Sequence, residues 1–151
     1  MDSTILGIAL DSLLPANVTV LAIRELTVDS AGWLTGNEVL SWVATELPGV
    51  REETLQAFRL AALEAGDGPA IFGNHERLRW LPRSRVEREP PGELVQHLRV
   101  TRVGYSPDSV QALVYISTLC GALCGRGEYV LLERDLQHGW TLRDWLIRVI
   151  S

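Results

Sequence analysis

The chain's only two cysteines, Cys120 and Cys124, stand four residues apart in the run Cys120-Gly121-Ala122-Leu123-Cys124-Gly125-Arg126-Gly127. A strand-like run lies on each side, Ala112-Leu113-Val114-Tyr115-Ile116 before it and Tyr129-Val130-Leu131-Leu132 after it. Short apolar runs rich in β-branched and aromatic residues favour strands, and a glycine-rich connection lets the chain reverse. The pattern predicts a β-hairpin with the cysteines at its tip, and the rest of the fold has to accommodate it.

From His97 onward the hydrophobic period moves towards two. Leu98, Val100 and Val103 lead to Ser106-Pro107-Asp108-Ser109, a turn with proline at its favoured second position, and then to a strand ending near Thr118. Glu128–Arg134 forms the next strand, Asp135–Gly139 a turn, and Trp140–Ile150 a last segment. Leu142, Trp145, Leu146 and Val149 in that segment also suit a helix, but a strand completes a four-stranded antiparallel meander. Leu113 and Tyr115 point one way and Val114 and Ile116 the other, so both faces of this sheet are apolar. One face belongs on the helices. The other needs further structure, a partner or a second copy of the chain, and an unpaired edge offers a way to extend the sheet across a dimer.

The N-terminal half supplies the helices. Ile5, Leu6, Ala9, Leu10, Leu13 and Leu14 recur at helical spacing after a Ser3 or Thr4 cap, and Pro15 ends the run. Asn17–Val28 reads as a strand, followed by the turn Asp29–Gly32. Asn37 is placed to cap a helix over Glu38–Leu47, and Arg51–Ala65 makes a longer one stopped by Gly66. Between Gly66 and Gly92, prolines 69, 82, 90 and 91 break the pattern and leave a loop-rich excursion with one short helix around Glu76–Trp80. The expected fold is a single α+β domain over residues 1–151, with N-terminal helices and one strand packed on a C-terminal four-stranded antiparallel meander.

Composition removes several functions. A 151-residue chain with 46% hydrophobic residues and five tryptophans can build a core without staples. No apolar run approaches the ~20 residues of a bilayer-spanning helix, so no transmembrane segment is expected. The formal charge of −5 argues against generic nucleic-acid binding. All 14 basic residues are arginine. Without lysine, neither a Walker-type phosphate loop nor Schiff-base chemistry is available, and Gly121, Gly125 and Gly127 precede a strand rather than the helix a phosphate cradle needs. No cofactor is expected.

Three chemistries compete at the cysteines. An intraloop disulfide between Cys120 and Cys124 would shape the hairpin tip, with Gly121, Gly125 and Gly127 supplying backbone conformations that other residues resist. Thiol redox or a soft metal such as Cu(I), with His75, His97 or His138 as a further ligand, is the alternative. The third is a cysteine nucleophile with a histidine base, which no local signature supports. Redox sites of the thioredoxin kind use two intervening residues at a helix start, and this loop has three. Elsewhere, Arg77, Arg79, Arg83 and Arg85 surround Trp80 and are candidate anion-binding residues, with a solvated salt-bridged loop as the plainer reading. Glu128 and Glu133 are five apart on one strand and face opposite sides, which disfavours paired-carboxylate catalysis.

The runs Arg102–Asp108, Gln111–Tyr115 and Cys120–Glu133 together resemble a group of uncharacterised bacterial proteins that share a strand, a Cys-Gly-x-x-Cys-Gly-x-Gly loop, a second strand and a terminal segment ending in Ser. The resemblance covers about the last fifty residues and implies no activity. Many members of that group look exported, often as lipoproteins, which implies a periplasmic or cell-envelope location. Met1–Leu6 shows no basic segment leading into an apolar stretch, which keeps a cytoplasmic location open. The expected function is a non-enzymatic binding or interaction module with a disulfide-closed hairpin tip, whose partner is another protein or a second copy. The alternative is a thiol-redox or soft-metal protein using the two cysteines.

Overall fold

The computed structural model describes residues 1–92, 94–121 and 124–149. Ala122 and Leu123 of the expected hairpin tip, and Ile150 and Ser151 at the end of the expected last strand, lie outside the described residues. The elements in chain order are α1 (Asp2–Leu13), β1 (Thr19–Ile23), α2 (Asn37–Glu46), α3 (Glu52–Ala61), α4 (Gly68–Phe72), β2 (Leu78–Leu81), α5 (Arg83–Val86), β3 (Val95–Val100), β4 (Gly104–Tyr105), β5 (Gln111–Gly121), β6 (Cys124–Asp135) and β7 (Gly139–Val149).

All the strands join one mixed sheet in the order β2-β1-β3-β5-β6-β7, with β4 paired to β5. The antiparallel run β3-β5-β6-β7 is the expected four-stranded meander. The fold is α+β, with the helices concentrated in the N-terminal half. β1 does more than pack on the meander: it extends the sheet, running parallel to β3 on one side and to β2 on the other.

β2 replaces the short helix expected around Glu76–Trp80. The reason is tertiary: β1 offers the four residues a ladder, with Val20 opposite Leu78 and Ala22 opposite Trp80. Trp80 then faces the core, stacks on Phe72 with centroids 6.4 Å apart, and donates its indole N–H to Gly73 O at 3.0 Å. The expected strand over Asn17–Val28 is shorter, because Leu26, Thr27 and Asp29 spend their N–H groups on Gly66, Val100 and Ala62 outside any ladder. Asn37 is the first residue of α2 rather than its cap, and its Oδ1 accepts from Arg59 Nη2 at 2.8 Å.

Both faces of the sheet are covered by the chain itself. On one face α1 (Ile5, Leu6, Ala9, Leu10) and Phe72 pack against Val20, Ala22, Leu98, Val114, Ile116, Val130 and Leu132. On the other, α2 and α3 (Leu40, Val43, Leu55, Phe58) pack against Leu113, Tyr115, Tyr129 and Leu131, while Val86 of α5 covers Leu21 and Ile23. This explains why the central strands read as continuous apolar runs. The further structure expected on the second face is thus α2, α3 and α5. Gly104 allows α3 to come close: a Cβ there would sit 2.4 Å from Phe58 Cα, a backbone contact with no room to yield.

Candidate functional site

The covering helix α1 is shorter than the strands it covers, and that mismatch creates the site. Pro15 has no N–H to continue the helix, and Leu14 before it is extended (φ −120°, ψ 139°), so α1 stops at Leu13. Arg77 holds this end, donating to Leu10 O at 2.9 Å, which also accepts the Leu14 N–H, and to Leu14 O at 3.2 Å just beyond the helix. β5 and β6 run on beyond it. Their residues on the α1 side change from Val114 and Ile116 to Thr118, Cys120, Cys124 and Arg126, and a pocket of about 260 Å³ opens between them and Leu10, Leu13 and Leu14.

Glu128 lies in the wall of this pocket. It pairs with Ile116 across the ladder and shares its strand phase with Val130 and Leu132, so it points to the α1 side and is only 4% exposed. Arg126 Nε forms an ion pair with Oε1, while Oε2 is buried without a hydrogen-bond partner. Burial raises the proton affinity of this carboxyl above the ordinary glutamate value, against the opposing charge and hydrogen bond of Arg126. Glu133, across the strand, accepts from Gln111 Nε2 at 3.1 Å and Arg143 Nη1 at 3.0 Å on the opposite face.

Cys120 and Cys124 form the outer rim at disulfide distance, with Cα atoms 5.2 Å apart. The glycines around them differ in role. Gly121 has φ +148°, a region that side-chain-bearing residues rarely enter, and faces open space. Gly125 stays in the ladder opposite Leu119. Gly127 has no such φ: a Cβ there would fall 1.8 Å from the hydroxyl of Tyr115, so glycine is needed for close approach. The Tyr115 hydroxyl is buried without a partner, and burial, followed by the neighbouring Tyr129, pushes its pKa up to about 12.

None of the three histidines meets the cysteines. His75 Nε2 lies 3.5 Å from Ser3 Oγ near the start of α1. His97 is buried on the opposite face with Nε2 2.6 Å from Glu89 O, and His138 sits in the β6–β7 turn beside Asp135. Among the described residues no group of three His, Cys, Asp or Glu side chains is arranged to hold a metal ion. The four candidate arginines fall into two pairs, Arg77 and Arg79 beside one pocket with Val18 and Val20, and Arg83 and Arg85 on α5. Arg77 is committed to α1, Arg79 is exposed on β2, and Arg83 pairs with Glu87 along α5, where Arg85 is exposed. Among the described residues no helix is long and apolar enough to cross a membrane.

Sequence reasoning overlooked Glu128 as a site residue and Arg77 as a helix clamp. Glu128 had a readable signal, since it shares phase with Val130 and Leu132 in a strand buried on both faces. Arg77 had none, because its partners are carbonyls more than sixty residues away. The chain matches no protein-family model, no curated protein and no solved structure.

Proposed function

We propose that this protein is a non-enzymatic protein-interaction module, and that the pocket between α1 and the cysteine-bridged hairpin is a socket for one apolar anchor side chain of a partner protein. The observation that carries this reading is the composition of the socket. Leu10, Leu13, Leu14 and Ile116 make it apolar, its volume of about 260 Å³ suits a single large side chain, and Glu128 Oε2 waits as an unpaired acceptor. Interfaces concentrate their free energy in a few such anchors, which fill desolvated pockets and bring a polar group to a buried partner. A peptide N–H or an indole N–H entering with the anchor would satisfy Glu128. The bridged tip fixes the far rim, so less conformational entropy is lost on binding. An oxidising compartment suits a bonded pair, and the resemblance to exported bacterial proteins points the same way, so we place the module in the cell envelope.

Thermal unfolding of the full chain with blocked amino acids as probes tests this reading. Millimolar N-acetyl-L-leucinamide should raise the melting temperature by linkage, whereas N-acetylglycinamide, which lacks the anchor, should not. Thr118→Phe fills the socket from its own wall and should abolish the leucinamide shift. Equal shifts with both probes, no shift with either, or an undiminished shift in Thr118→Phe would overturn the proposal.

A further inference from the structure

The sheet ends on one side in β7, an 11-residue strand whose outer edge pairs with no strand among the described residues, whereas the opposite edge strand, β2, has 4 residues. Long open edges invite pairing unless they are blunted. The first half of β7 is blunted: its register against β6 shifts between Leu131 and Leu132, and Arg143, in the resulting irregularity, reaches Glu133. From Asp144 the ladder is regular again, and two large apolar side chains, Trp145 and Ile147, are 46% and 44% exposed.

The sequence of this half is complementary to itself in one register. Antiparallel neighbours place directly opposite residues on the same face, so a two-fold axis between two copies must pass through a residue. With the axis at Leu146, Trp145 faces Ile147 of the second copy, and Asp144 faces its Arg148, each twice by symmetry. With the axis at Trp145, Asp144 would oppose a leucine and Arg143 an isoleucine. With the axis at Ile147, Arg148 would oppose Leu146. Only the Leu146 register joins apolar to apolar and acid to base.

The side chains are already placed for this. Arg148 is fixed at the edge, stacked 3.9 Å over the Trp33 ring and donating to Trp33 O at 2.7 Å and Tyr129 Oη at 3.2 Å through one nitrogen, Nη1. Asp144 Oδ1 accepts the Trp145 N–H at 2.8 Å, so this edge amide is satisfied locally in the single chain. We propose that β7 is a homodimer interface, pairing antiparallel with a second copy about Leu146 to continue the sheet across the two-fold axis. On pairing, the carbonyl of the second copy takes over the edge amide and frees the Asp144 carboxylate for Arg148. The edge is separate from the socket, and this inference does not depend on the binding role proposed there.

Mass and cross-linking of the full chain test the proposal together. Light scattering behind size exclusion should give the dimer mass at micromolar concentration. Leu146→Cys should then form a covalent dimer under mild oxidation, because residues directly opposite across an antiparallel pair lie within disulfide reach. Trp145→Cys, whose two copies are offset by two residues, should cross-link more slowly, on the order of tenfold. A chain that stays monomeric to millimolar concentration overturns the proposal, as does a dimer in which Trp145→Cys links as fast as Leu146→Cys. The reciprocal swap Asp144→Arg with Arg148→Asp should restore a dimer that Asp144→Arg alone breaks; a swap that folds but stays monomeric would equally contradict it.

Discussion

Burial makes the charged form of the Glu128 carboxyl costlier than it is in water, and the Arg126 guanidinium offsets part of that cost. Because burial raises its affinity for a proton above the ordinary value of 4.5, the folded chain holds that proton more tightly than the unfolded chain does. Its contribution to stability therefore falls as pH rises above the unfolded value and through the raised folded one. Glu128→Gln keeps the shape and removes the titration, so it should melt higher than the parent at pH 7–8, by roughly 2–4 °C for each kcal/mol regained. The gap should close as the pH is lowered below about 4.5, and melting curves across that range check it. A lower melting temperature for the glutamine variant at pH 7 would mean that the Arg126 ion pair outweighs the burial. Asp108 is shifted the other way: hydrogen bonds from Arg51 and then Ser106 hold its carboxyl well below the usual carboxylate range. It favours the folded state above its ordinary value of 3.8 and loses that advantage as acid protonates it. Gly127 shows what a residue type conceals, because a glycine required by a neighbour's hydroxyl and a glycine required by its own φ look identical in sequence.

At the scale of elements, the hairpin and the meander were legible because β5 and β6 carry short continuous apolar runs, β3 alternates, and their turns carry proline and glycine at diagnostic places. Leu98 and Val100 of β3 and Ser106-Pro107-Asp108 before β5 are such places. β2 was hidden because four residues between a loop and Pro82 carry too little pattern of their own, and its strand state is imposed by β1. The socket was legible only in parts. The cysteines, Ile116 and the end of α1 at Pro15 could each be read, but their meeting depends on how far β5 and β6 outrun a helix remote in sequence. The cysteine bridge closes a loop of five residues, for which chain entropy predicts about 2 kcal/mol of stabilisation. Replacing both cysteines with serine should therefore cost about that amount in denaturant unfolding and leave the core intact. Failure to fold would show that the bridge supports the domain as well as its tip.

For the whole molecule, the consequence of covering both sheet faces is that little apolar sheet surface is left for partners in its middle. α1 closes one side, and α2, α3 and α5 close the other. What remains is at the margins: the socket where β5 and β6 outrun α1, and the outer edge of β7. Both lie along the β5-β6-β7 meander, but the socket takes its other wall from Leu10, Leu13 and Leu14 at the end of α1, so the proposed binding surfaces draw on both halves of the chain. The most direct test is a titration of the isotope-labelled full chain with N-acetyl-L-leucinamide, followed by amide chemical shifts. The predicted result is a single saturating set of changes around Leu10, Leu13, Ile116, Thr118 and Glu128, absent with N-acetylglycinamide. Changes centred on the opposite face near His97, or no saturating change at all, would contradict the account.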